Sequence, residues 1–180
     1  GRKLPAVIQA GLKAAAGGIT AGLATKVMKK NVTDMAERFI VGHDAAEAVP
    51  ELKKLHRQGI AFTVDLLGEA TLSDVEADSY VARYMDLVEN LAEQVKEWPA
   101  DFVVDNNHLG PIPRANVSLK ISAMDAQPDA ADTAGSVARL KKRVFPLFKR
   151  AADLGVFLNM DLEQWGMHGI TYDLFEEFLG

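Results

Sequence analysis

The chain has 180 residues, 48% of them hydrophobic and 25% charged, enough for one soluble domain with a substantial buried core. Twenty basic against twenty-five acidic residues leave a net charge of -5, which argues against nucleic acid as the main partner. The absence of cysteine excludes disulfides, thiolate metal sites and cysteine catalysis, and is compatible with a reducing cytoplasm.

The Ala- and Gly-rich stretch Leu4 to Val27 reads as a small-residue helix or helical hairpin. Lys13 divides it, and the uncharged run Ala14 to Thr25 falls short of the roughly 20 residues that span a bilayer. It also lacks the tripartite order of a signal peptide. Gly17, Gly18 and Gly22 do not make a phosphate loop, because Leu23 and Ala24 stand where Lys and Ser/Thr are needed.

Asp44 can cap a helix running towards Gly59 with Ala48, Leu52 and Leu55 on one face, kinked or restarted at Pro50. Ile60 to Leu66 then reads as a strand. Ser73 and Glu76 form a capping box opening a long helix to about Glu97, with a stripe of Val75, Val81, Met85, Leu87 and Leu91. Residues 100 to 115 read as a loop, and Asn116 to Ser122 as a second strand. A basic amphipathic helix, kinked at Pro146, is expected over Ser136 to Asp153, with Gly155 as its stop. Val156 to Asp161 is the third strand, and Thr171 can cap a last helix over Tyr172 to Leu179. Trp98, Trp165 and the phenylalanines are expected in core or helix-end packing.

Strands alternating with long helices imply a parallel sheet. A doubly wound sheet and a barrel both satisfy that order, and side-chain alternation favours the barrel. Phe62, Val64 and Leu66, then Val117, Leu119 and Ile121, then Val156, Leu158 and Met160 form apolar faces. The opposite faces carry Thr63 and Asp65, then Ser118, Lys120 and Ser122, then Asn159 and Asp161. A barrel lining a ligand cavity tolerates such a polar row, whereas a sheet buried on both sides does not. The fold class expected is α/β: the first three βα units of a (βα)8 barrel over residues 60–180, preceded by a helical arm over 1–59. A closed eight-stranded barrel takes roughly 250 residues, so these 180 are expected to be part of a longer chain.

Lys120 is the most informative residue, because an ammonium on an apolar strand needs an anionic partner or a lowered pKa. Asp161, Asp65, a substrate carboxylate or a cofactor would each serve. An edge-strand lysine facing solvent is an equal reading. Asp161, followed by Glu163, could bind cofactor, orient Lys120 or shuttle protons, or merely cap the next turn. Asp65 carries the same pair of readings, and Glu69 sits on the loop above it. The four histidines show no ligand spacing, so no metal is expected. On residue chemistry alone, a strand lysine beside strand-end acids also suits a Schiff-base aldolase. A helical interaction module with three apolar core runs is the non-catalytic alternative.

Three stretches in order resemble the proline dehydrogenase family: Phe62 to Ala70 (FTVDLLGEA), Val117 to Ala123 (VSLKISA) and Asn159 to Glu163 (NMDLE). Ala36 to Gly42 (AERFIVG) is similar to the family's lead-in segment. The resemblance runs from about Val32 onward and extends to the bifunctional bacterial proline-utilisation flavoproteins. It implies a modified (βα)8 barrel that binds FAD, oxidises L-proline to Δ1-pyrroline-5-carboxylate and passes electrons to a quinone. It also implies a cytoplasmic enzyme, peripheral on the inner membrane where it meets its quinone, with a homo-oligomer and a following glutamate-semialdehyde dehydrogenase as further options. By that resemblance Lys120 pairs with the substrate carboxylate beside the flavin, and Asp161 joins the polar network under flavin and substrate. Asp65 lines the same pocket, and Glu69 forms an ion-pair gate with a later arginine. The family's carboxylate-clamping arginines and later flavin-binding strands have no counterpart here, so this segment alone is expected to be inactive.

Overall fold

The computed structural model describes residues 21–36, 40–68 and 71–179, and they divide between His43 and Asp44 into two units. The first unit holds helix α1, Ala21–Ala36. The expected small-residue hairpin and Glu69 lie outside the described residues, apart from the part of the former that enters α1.

The second unit runs α2 (Ala45–Arg57), β1 (Val64–Asp65), α3 (Asp74–Lys96), β2 (Asn106–Asn107), β3 (Gly110–Pro111), β4 (Asn116–Lys120), α4 (Thr133–Leu154), β5 (Phe157–Asp161) and α5 (His168–Leu179). Strands β1, β4 and β5 form a parallel sheet in that order, and β2 and β3 pair as a short antiparallel hairpin. The fold is therefore mixed α/β with right-sized crossovers, α3 and α4, between neighbouring parallel strands. A wholly helical module is excluded by this sheet.

Local chemistry sets the element ends. Asp44 accepts from the Glu47 amide at 2.9 Å and caps α2, which runs through Pro50 as one helix. Ser73 caps α3 by accepting from the Glu76 amide at 3.3 Å. The reciprocal bond of the capping box goes one residue further back, from the Leu72 amide to Glu76 Oε2 at 2.7 Å. Helix α4 starts earlier than the periodicity indicates, because Asp132 supplies the cap and accepts from the Gly135 amide. It continues through Pro146 and ends at Gly155, whose φ of 71° is left-handed.

Several sequence expectations change. Only Val64–Asp65 of the first run is strand; Gly59, at φ 73°, turns the chain out of α2, and Ile60 to Thr63 follow without ladder pairing. The second strand stops at Lys120, and Ile121–Ala123 tightens into a 3₁₀ turn. Thr171 is not a cap: it lies inside α5, buried, and its hydroxyl donates to the Met167 carbonyl at 2.9 Å. Trp98 is buried as expected, but Trp165 is 87% exposed. In α3 the buried stripe is Ala77, Tyr84, Leu87, Val88, Leu91 and Val95, while Val75 faces solvent.

The core lies on one side of the sheet. Val64, Val117 and Leu119 are buried in one cluster with Tyr84, Val88 and Leu91 of α3 and Leu140, Val144 and Leu147 of α4. Each fully buried side chain of this size contributes about 1.5–3 kcal/mol. Helices thus cover the apolar face and leave Asp65, Asn159 and half-exposed Phe157 on the other.

Candidate functional site

Register places the polar side chains on one face in two levels. Asp65 lies opposite Ser118, and Ser118 opposite Asn159, which donates to its hydroxyl at 3.1 Å. One step along, at the C-terminal ends of the strands, Lys120 lies opposite Asp161. Partners in register point to the same side of a sheet, so all five share that face.

Lys120 leans diagonally to β1, where its Nζ meets Asp65 Oδ2 at 2.6 Å. Its second anion is Glu163 Oε1 at 3.6 Å, and Ser122 donates to the other oxygen of Glu163 at 3.2 Å. The lysine side chain is 12% exposed, against 35% for Asp65 and 33% for Glu163. The hydrogen bond to Asp65 raises the Lys120 pKa, outweighing burial, with the charges of Asp65 and Glu163 adding to it. Lys120 is therefore held as an ammonium, a fixed cation and not a free amine. A raised lysine pKa does not favour a Schiff-base aldolase, whose lysine must shed its proton.

Asp161 is half-buried and borders a small recess with Ser122, Glu163 and Thr171. Its carboxylate makes no ion pair or hydrogen bond among the described residues, so Asp65 and Glu163 hold the lysine and Asp161 does not. Sequence reasoning placed Glu163 beside Asp161 without separating their parts. It gave no role to Tyr84, a wholly buried residue of α3 next to the Lys120 backbone.

A second ionic cluster lies before β4. Asp105 is bonded to His56 Nε2 at 3.0 Å, to Arg114 at 2.7 Å and to the Asp101 amide at 2.8 Å. Burial pushes the Asp105 carboxyl upward, but the Asp101 amide, His56 and Arg114 together hold it below its ordinary value. A cleft of about 450 Å³ borders this cluster at Phe102, Asp105 and Arg114. It lies at the entrance to β4, away from Lys120, and its ionic groups satisfy one another.

A parallel sheet with helices on its apolar face and a fixed cation at its strand ends has the architecture of α/β enzymes that bind ligands there. The sequence profile described as Proline dehydrogenase matches residues 48–180, and the chain belongs to that family. It is 26% identical over 143 residues to the bifunctional protein PutA of Escherichia coli strain K12, covering 79% of this chain and 10% of that protein. It is 22% identical over 156 residues to a proline dehydrogenase of Deinococcus radiodurans, covering 86% and 43%. Among solved structures, proline utilization A of Bdellovibrio bacteriovorus, inactivated by N-propargylglycine, superposes with a TM-score of 0.84 at 41% identity, over 88% of this chain and 16% of that one. Proline utilization A of Corynebacterium freiburgense gives 0.62 at 29%, over 83% and 14%. The chain spans about a tenth of the bifunctional proteins it matches.

Proposed function

We propose that this chain forms the first three βα units of a proline dehydrogenase barrel that oxidises L-proline to Δ1-pyrroline-5-carboxylate with FAD. The observation that carries the reading is the Lys120 ammonium, fixed by Asp65 and Glu163 at the strand ends of a chain in this family. A fixed cation suits an amino-acid carboxylate, and holding that group orients the ring carbon that loses hydride.

The donor set fits a flavin. The face offers a cation at Lys120, the unengaged carboxylate of Asp161 and the amide–hydroxyl pair of Asn159 and Ser118. Lys120 and Asp161 are the residues proposed to contact it, and when bound FAD supplies the hydride acceptor. Lys120 binds and orients the proline carboxylate, while Asp65 and Glu163 keep the lysine charged and in place. Asp161 is free to take up a hydrogen bond from the bound partners. Glu69, four residues past Asp65 in the sequence, is proposed as the gate.

The complete protein is proposed to close the barrel with later strands and to include a glutamate-semialdehyde dehydrogenase. Its electrons pass to a quinone, with the enzyme in the cytoplasm or peripheral on the inner membrane, as a homo-oligomer. No helix among the described residues is long and apolar enough to cross a membrane. The test is spectroscopic. Full-length protein reconstituted with FAD is expected to be yellow and to bleach anaerobically on addition of L-proline. Failure to retain flavin, or flavin that stays oxidised with proline, overturns the proposal.

A further inference from the structure

The 3₁₀ turn Ile121–Ala123 that follows Lys120 is held by the helices around it. The Met124 amide closes the turn on the Ile121 carbonyl at 3.0 Å, and Ile121, Ala123 and Met124 are buried. The Met124 carbonyl accepts from Arg143 Nη1 of α4 at 3.0 Å, and the same guanidinium pairs with Asp74 and Asp78 of α3 at 2.8 and 2.7 Å. Buried Asp125, the next residue, pairs with Arg139 of α4 at 3.1 Å. Ser122 is therefore presented from a fixed frame, and its buried hydroxyl donates to Glu163 Oε2 at 3.2 Å. Glu163, by contrast, stands two residues beyond Asp161, the end of the β5 ladder, with its side chain one-third exposed.

We propose that Ser122 is a positioning residue of the Lys120 site, its hydroxyl turning Glu163 to the ammonium and so leaving Asp161 unpaired. Ser122, Asp161 and Glu163 border one recess. Both acids are placed for the lysine, Asp161 as its register partner and Glu163 by its contact at 3.6 Å. Attraction to a cation does not choose between two carboxylates, whereas a hydroxyl at a fixed place does, because hydrogen bonds are directional. Ser122 takes one oxygen of Glu163 and leaves the other on Lys120. Without that bond the Glu163 side chain regains rotamer freedom and water, and Asp161 becomes the competing anion. An Asp161 drawn to the lysine is lost to the bound partners and opposes the substrate carboxylate. The catalytic part of this inference rests on the reading of the site as a proline-oxidising one.

The experiment is a double-mutant cycle in the full-length flavoprotein with Ser122→Ala, Glu163→Ala and the two combined. Flavin bleaching by L-proline in the unmodified protein tests the functional reading separately. Ser122→Ala is expected to keep its flavin and to raise KM for proline about tenfold with little change in kcat, because what it weakens is the hold on the substrate carboxylate. In the Glu163→Ala background the same substitution is expected to have no further effect, since Ser122 acts through that acid. An unchanged KM in Ser122→Ala overturns the proposal. So does an effect that is undiminished in the Glu163→Ala background, which is what a merely structural serine would give. A crystal structure of the unmodified full-length protein without proline decides the placement even if the variant fails to fold. Ser122 Oγ on Glu163, with no ion pair between Lys120 and Asp161, is expected there, and a Lys120–Asp161 ion pair overturns the proposal.

Discussion

Lys120 Nζ and Asp65 Oδ2 meet at 2.6 Å although the two residues are not register partners. Asp65 lies opposite Ser118, so the lysine reaches back one level across neighbouring parallel strands to find it. Asp161 is the register partner of Lys120, yet the ammonium is paired with Asp65 on the other neighbouring strand. With Glu163 as its second anion the ammonium is held by two carboxylates, and we propose that a third, that of the substrate, joins them there.

Lys120→Ala in the full-length enzyme is expected to lower kcat/KM for proline by about 10²–10³-fold, the effect of deleting one partner of a largely desolvated charge pair. Stability should change far less, by about 1 kcal/mol, since Asp65 and Glu163 are each about one-third exposed and can rehydrate. Steady-state kinetics beside a thermal melt separates the two effects. Loss of soluble, folded protein would refute a site role for the lysine.

Asp65→Asn removes the largest cause of the raised Lys120 pKa and leaves Glu163 as the second anion. A folded-state pKa above the unfolded value stabilises fully below the unfolded value of roughly 10.4 and is lost as pH rises through the folded one. The gap in melting temperature between the two proteins is therefore expected to be constant from pH 7 to about 9 and to narrow above about 10.4. A gap that widens in alkali would show that the pair is not what the substitution removed.

Much of the fold could be read along the chain, because caps, glycine stops and two-residue alternation are local. Ser73, Asp44 and Gly155 act where their neighbours say they should. Alternation also put Asp65, Ser118, Lys120, Asn159 and Asp161 on one face, which the register reproduces. It could not say which acid reaches the lysine. Asp161 is the register partner, yet Glu163, two residues past the strand, makes the contact because the chain there turns back towards Ser122. Thr171 was misplaced since a buried threonine can bond its own helix instead of capping it. The link between His56 and Asp105 joins residues 49 apart, for which no local pattern exists.

That cluster carries an acid-stability prediction. The Asp105 carboxyl is held below its ordinary value, so its contribution is present above the unfolded carboxylate pKa of roughly 3.9 and disappears as pH falls through the lower folded value. Asp105→Asn keeps the shape, but leaves Arg114 and His56 without their anion, at a cost of about 3 kcal/mol near neutrality. The variant should lose less than the unmodified protein on acidification from pH 5 to 3. Parallel melting curves for the two proteins over that range would exclude a stabilising ionised Asp105.

Gly155 ends α4 and releases the chain into β5, the strand that carries Asn159 and Asp161. Its φ of 71° lies in the left-handed region, and its amide bonds the Ala152 carbonyl while Val156 bonds Ala151. A Cβ here would meet no atom within 4 Å, so the cost of Gly155→Ala is conformational and not steric, about 1 kcal/mol. The variant is expected to melt a few degrees lower and to keep its kcat/KM, because the β5 register is set by its pairing with β4 from Asn116 to Lys120. A large loss of activity with an unchanged melt would mean that this turn aims Asp161, a part the sheet pairing should already perform.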